Sequence, residues 1–231
     1  MREVDRLMIE RYRIELIQMM ENAGRNLAHL ARARFLDGDP RGKRLAVLCG
    51  RGGNGGGGLV AARRLYNWGA EIEVVVARPK REFNGVPAHQ LDIVQRLGVP
   101  ILAADDLTGS PAPVPDLVID AVIGYGLRGS PRGGAVALIE WANRIESPVL
   151  SLDAPSGLDT SSGRPGRPTV EATATMTLAL PKEGLSAATA SGLVGELYLA
   201  DISVPPSLYA APGLELEVPP LFAREEVLRL R

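Results

Sequence analysis

Apolar positions along the chain follow two alternating patterns. From Glu15 to about Phe35, "ELIQMMENAGRNLAHLARARF" sets Leu16, Met19, Met20, Ala23, Leu27 and Leu30 at spacings of three and four, the stripe of an amphipathic helix. "GDPRGK" ends that helix, and "RLAVLCG" (Arg44 to Gly50) reads as a short buried strand. A second helix is expected from about Gly55 to Trp68, with Leu59, Ala62, Leu65 and Tyr66 on one face and Gly69 as its stop. "EIEVVVA" (Glu71 to Ala77) follows as a strand. The alternation continues with "PAHQLDIVQRLG" as helix, "VPILAA" and "PDLVIDAVIG" as strands, "GAVALIEWANRI" as helix and "SPVLSLDAP" as strand. After the polar loop "PSGLDTSSGRPGRP" come "ATATMTLAL" and "GELYLADI", two strands with no long helix between them.

Strands alternating with helices predict an α/β fold, a three-layer sandwich whose mostly parallel central sheet is covered by helices on both faces. The 231 residues fit one domain, 1–231, rather than two small ones. Ligands of such sheets bind beyond the carboxyl ends of the strands. That rule selects Gly50 to Asn54, Asp120 to Gly124 and Asp153 to Ser156.

Composition removes several classes of function. Lys+Arg 26 against Asp+Glu 27 leaves a net charge of −1, so no overall field draws nucleic acid or an anionic membrane. Cys49 is the single cysteine and His29 and His89 are the only imidazoles, too few for a zinc set or an internal disulfide. No segment approaches the roughly 18 continuous apolar residues of a membrane helix, and "MREVDRLMIERYR" is too charged for a secretory signal. The expected location is the cytoplasm.

The glycine run in "CGRGGNGGGGLVAARR" contains G-x-G-x-x-G through Gly50, Gly52 and Gly55, between a strand and a helix. The acidic residue that a nicotinamide dinucleotide fold carries about 20 positions on is missing, and no Gly-Lys-Ser/Thr closes a Walker A loop. An NAD(P)-dependent dehydrogenase therefore rests on the glycines alone. What the run offers is a row of backbone N–H groups at a helix N-terminus, suited to an anion or a polar ring. Asn54 is either the cap of that helix or a ligand. Asp120, at the end of "LVIDAVIG", has the same two readings. In "SLDAPSGLD" a tight turn fixes Asp153 and Ser156. Asp153 suits general acid/base work; Ser156 is not read as a nucleophile, because neither histidine stands in a motif resembling its base.

Taken together, "MMENAGR", "CGRGGNGGGGLVAAR", "VIDAVIGYGLRG", "SLDAPSGLDTSSG" and "PKEGL" resemble the YjeF N-terminal domain family, which includes NAD(P)H-hydrate epimerases and apolipoprotein A-I-binding-protein-like chains. The resemblance runs in order over nearly the whole chain. It implies a Rossmann-like fold, commonly dimeric, that interconverts the R and S forms of NADHX and NADPHX, nicotinamide cofactors hydrated at C6. It implies a potassium ion held by Asn54, Asp120 and Ser156, and Asp153 as the acid/base. Substrate-binding positions carried over are Gly53, Asn54, Gly55, Gly56 and Gly57 in the glycine run, Gly124, Tyr125, Gly126, Leu127, Arg128 and Gly129 after the "DA" strand, and Asp153. An ADP- or ATP-dependent dehydratase is the implied functional partner, and no such domain is encoded here. The family's glycine loop usually reads Asn-Asn-Gly-Gly-Asp-Gly; here Gly53 replaces its first Asn and Gly57 its Asp. Those two losses motivate the alternative reading, a non-catalytic nucleotide-binding or dimeric scaffold module of the same fold.

Overall fold

The computed structural model describes residues 1–107 and 114–231. Its strands are β1 (Arg44–Cys49), β2 (Glu71–Val76), β3 (Ile101–Ala103), β4 (Leu117–Ala121), β5 (Val149–Leu152), β6 (Ala174–Leu178), β7 (Glu196–Ala200) and β8 (Val227–Arg229). They form one sheet in the order β3-β2-β1-β4-β5-β6-β7-β8. The first seven run parallel and β8 pairs antiparallel with β7. The order reverses between β1 and β4, so the loops leaving these two neighbours part to opposite faces and open a crevice.

Burial along the strands follows from helices on both faces. In β1, Leu45, Val47 and Cys49 pack into one apolar cluster while Ala46 and Leu48 pack into another, the period of two that a pleated strand imposes. The first cluster is closed by the helices α2 (Leu16–Phe35), α3 (Gly53–Asn67) and α4 (Gly85–Arg96), through Leu27, Leu59, Leu65, Leu91 and Val94. The second is closed by α5 (Gly134–Arg144), through Leu138, Ile139 and Trp141. This is the expected Rossmann-like sandwich.

Three elements depart from the sequence reading. An N-terminal helix, α1 (Arg2–Glu10), was read only as a charged segment; Val4, Leu7 and Met8 dock it against Met19 and against Leu208 and Tyr209 of the short helix α7 (Pro206–Tyr209). Strand β8 has only three residues, too few for an alternation to be legible, and it covers the edge of β7. Helix α3 begins at Gly53 rather than Gly55. Between β6 and β7 there are only 3-10 turns and the one-turn helix α6 (Ser191–Val194), as the absence of a helical stripe implied. Among the described residues no helix is long and apolar enough to cross a membrane.

Helix α3 explains most of the glycine run as packing. A Cβ at Gly55 would stand 1.7 Å from the carbonyl oxygen of Gly50, one at Gly56 2.4 Å from the sulfur of Met20, and one at Gly58 2.5 Å from Cβ of Ala121. Gly24 on α2 is similarly closed by Val60, at 2.4 Å. Backbones of α2, α3 and β4 thus approach to distances that only glycine allows. At Gly53 nothing lies within 4 Å. Gly58→Ala is therefore expected to cost about 1–3 kcal/mol of unfolding free energy through overpacking. Gly53→Ala should leave stability unchanged or raise it by up to about 1 kcal/mol through helix propensity. Urea denaturation of the two variants checks the contrast, and equal losses would remove this account of the run.

Candidate functional site

At the switch point the N-terminus of α3 faces the loops that follow β4 and β5. Gly52 occupies the cap position without a side-chain cap bond, so the first-turn N–H groups of α3 have no side-chain partner. Asn54 lies inside the first turn, which rules out the capping role allowed by its sequence position. Its Nδ2 is buried and has no hydrogen-bond partner. A cavity of about 750 Å³ opens here, walled by Gly53, Asn54, Gly124, Tyr125, Arg128 and Asp153. Its apolar side is made by α2 and β5 through Met19, Met20, Ala23 and Leu152, and its mouth by Met1, Arg2 and Asp5 of the N-terminal segment.

Asp120, the penultimate residue of β4, is fully buried and is not part of the cavity lining. It accepts hydrogen bonds from Ser151 Oγ (2.8 Å), from Ser156 N (2.8 Å) and Oγ (2.5 Å), and from Val122 N (3.2 Å). Burial pushes its carboxyl up from the ordinary range, against the lowering effect of those donors. All four donors are neutral, so the charge of the ionised form has no cationic side chain against it. Ser156 Oγ in turn accepts from Ile123 N at 2.8 Å, which ties the turn after β5 to the loop after β4.

Asp153 follows the last residue of β5 with φ +68, a left-handed conformation uncommon outside glycine though tolerated by Asp. Its backbone N–H donates to Met176 O at 2.7 Å, holding the turn. The carboxylate is gripped at both oxygens: Oδ1 by Lys182 Nζ at 2.5 Å and Oδ2 by the backbone N–H of Tyr125 at 2.8 Å. Lys182 also donates to Thr177 Oγ1 (2.8 Å) and to the carbonyl of Leu178 (2.9 Å). Both members of this ion pair are buried. A Cβ at Gly124 would come within 2.8 Å of Asp153 Oδ2 and 3.0 Å of Asn54 Oδ1, so glycine is what lets these two groups converge.

The structure brings Gly53, Asn54, Gly124, Tyr125, Gly126, Arg128 and Asp153 together around the cavity. It does not bring all of the expected substrate positions there. Gly55, Gly56 and Gly57 stand behind the first turn of α3, buried against Gly50, Met20 and Leu152. Leu127 and Gly129 lie off the cavity wall, Gly129 in a turn at φ +73. Asp120 and Ser156 sit beneath the floor rather than in it. Gly57 has a specific neighbour: its Cβ would meet Leu152 Cδ2 at 2.8 Å, so an apolar side chain fills the space next to the missing one. Sequence reasoning gave no role to Lys182 or Asp5. Lys182 had a visible signal, being one of only three lysines and standing directly after the apolar "TLALP". Asp5 had none, because only the docking of α1 brings it to the cavity.

A parallel sheet in Rossmann-like order, with a bare helix N-terminus and two buried carboxylates at its switch point, defines an α/β protein with a nucleotide-sized site. The profile described as YjeF-related protein N-terminus matches residues 16–184, and the chain belongs to that family. It is 41% identical over 216 residues to "NAD(P)H-hydrate epimerase" of Dehalogenimonas lykanthroporepellens, covering 93% of this chain and 84% of the relative. It is 37% identical to the protein of the same name from Truepera radiovictrix, covering 95% and 94%. "Bifunctional NAD(P)H-hydrate repair enzyme Nnr" of Moorella thermoacetica is 38% identical over 91% of this chain, which spans 40% of that longer protein. The crystal structure of yeast ynu0 superposes with a TM-score of 0.80 at 24% identity, over 99% of this chain and 96% of that one, and shows the same fold.

Proposed function

We propose that this chain epimerises the R and S forms of hydrated NADH and NADPH at C6 of the nicotinamide ring. The observation that carries the reading is Asp153, a carboxylate placed in the wall of a nucleotide-sized cavity and fixed at both oxygens by Lys182 and the Tyr125 N–H. Inverting C6 requires its C–O bond to break and re-form on the other ring face. The oxygen takes a proton as it leaves as water, the ring nitrogen's lone pair closes the C6=N bond, and a second water adds while giving up a proton. A buried acid/base group at the ring handles those protons, and the apolar side formed by Met19, Met20, Ala23 and Leu152 offers no competing nucleophile to the cation. The N-terminus of α3 and the guanidiniums of Arg2 and Arg128 suit the substrate's phosphates.

Asn54, Asp120 and Ser156 each offer an oxygen donor, and the buried Asp120 carboxylate lacks a cationic partner, which supports reading them as holders of potassium. Bound there, the ion would neutralise that charge and stiffen the floor beneath Asn54 and Gly124. A homodimer in the cytoplasm, working beside a dehydratase specific for the S form, completes the proposal; the bifunctional relatives named as repair enzymes support that pairing.

The test is a coupled assay. Racemic NADHX with an S-specific dehydratase alone stops at half consumption, and addition of this chain is expected to carry it to completion. A plateau that this chain does not move would overturn the reading.

A further inference from the structure

The N-terminal helix brings a second carboxyl into the same cavity. Asp5 on α1 reaches its mouth, and the Tyr125 hydroxyl donates a hydrogen bond to Asp5 Oδ2. Tyr125 thereby fastens two acids with one residue, its backbone N–H on Asp153 and its phenol on Asp5. Both carboxyls line the cavity and are linked through this one tyrosine. Asp5 Oδ1 takes no hydrogen bond from the described residues, which leaves it available to a bound molecule. Residues 16–184 are the span that matches the family profile, so Asp5 comes from a segment outside it.

We infer that Asp5 is a second catalytic residue, the acid that serves the ring face opposite Asp153. This rests on the epimerase reading. In one direction the Asp5 carboxyl gives its proton to the C6 hydroxyl, whose oxygen leaves as water with the C–O electron pair. The ring nitrogen closes the C6=N bond, and water adds from the other face while its proton passes to the Asp153 carboxylate. The net change is one proton moved from Asp5 to Asp153, and the reverse direction exchanges the roles. Two carboxyls, one acting as acid and one as base, are what inversion at a carbon uses. Their surroundings already differ. Asp153 is ion-paired with the buried Lys182 ammonium. Asp5 is partly desolvated, and burial is the largest influence on it, pushing its carboxyl up. The Tyr125 hydroxyl bond, the N-terminal amine and Lys182 act against that rise, and the Asp153 charge adds to it.

The experiment compares the full wild-type chain with Asp5→Asn in the coupled NADHX assay, alongside thermal melts. Asparagine keeps the shape and still accepts the Tyr125 hydroxyl bond, so a merely structural role predicts no change. The expected result is a kcat lower by about 100-fold with KM within about threefold and an unchanged melting temperature. Asp5→Glu, which restores the carboxyl, is expected to recover at least about tenfold of that loss. A kcat for Asp5→Asn within threefold of wild type overturns the inference and leaves the epimerase reading standing. If Asp5→Asn melts early, Asp5→Glu decides: recovered kcat supports the role, and a kcat as low as that of Asp5→Asn at wild-type melting temperature overturns it. A wild-type chain without epimerase activity overturns both readings.

Discussion

Asp153→Asn is expected to lower kcat for epimerisation by about 10²- to 10⁴-fold, the range that a positioned general acid/base supplies. The substitution keeps the backbone and one of the two carboxylate contacts but leaves Lys182 without its ionic partner, so kcat is read on protein shown to be folded. Asparagine tolerates the left-handed backbone at φ +68, and its amide oxygen can still accept the Tyr125 N–H. What it lacks is a basic oxygen for the proton of the entering water. Binding should change little, because the groups proposed to face the phosphates lie elsewhere: the first turn of α3, Arg2 and Arg128. Steady-state kinetics separate the two, with the loss falling on kcat and KM staying within about threefold. A variant within tenfold of wild-type kcat would move the chemistry away from this carboxyl.

Lys182→Met should cost about 3–5 kcal/mol of unfolding free energy, the penalty for leaving one member of a buried ion pair alone. The lysine side chain is 7% exposed and that of Asp153 4%, so water screens neither charge. Methionine fills a comparable volume, which removes the cavity as a rival explanation. The double variant Asp153→Asn with Lys182→Met discards both charges together and is expected to recover most of the loss. Urea titration of wild type, the two single variants and the double variant gives the coupling directly. If the double variant loses as much as the single losses combined, Lys182 acts independently of Asp153, through Thr177 and Leu178.

The sheet and its helices were legible because their signals are local. Apolar runs of five or six residues, and stripes such as Leu27 and Leu30 on α2, carry a period that needs no partner to be seen. The placement of these candidates at the sheet's carboxyl edge was legible: Asp120 lies near the end of β4, Asp153 and Ser156 in the turn after β5, and Asn54 in the first turn of α3. The glycines were harder. Gly55, Gly56 and Gly58 look alike in sequence, yet what each one excludes lies on a different element: Gly50, Met20 and Ala121. Lys182 and Asp5 act through contacts across 29 and 120 positions, which no spacing rule reaches.

The backbone at Asp153 holds a conformation that stability alone would not choose. A left-handed residue with a side chain carries roughly 1 kcal/mol or more of strain that glycine would relieve. Apolar partners of similar volume would equally spare the fold the desolvation of a buried aspartate and lysine. A docking module gains nothing from either feature, which weighs the catalytic reading above the scaffold one even with glycine at positions 53 and 57.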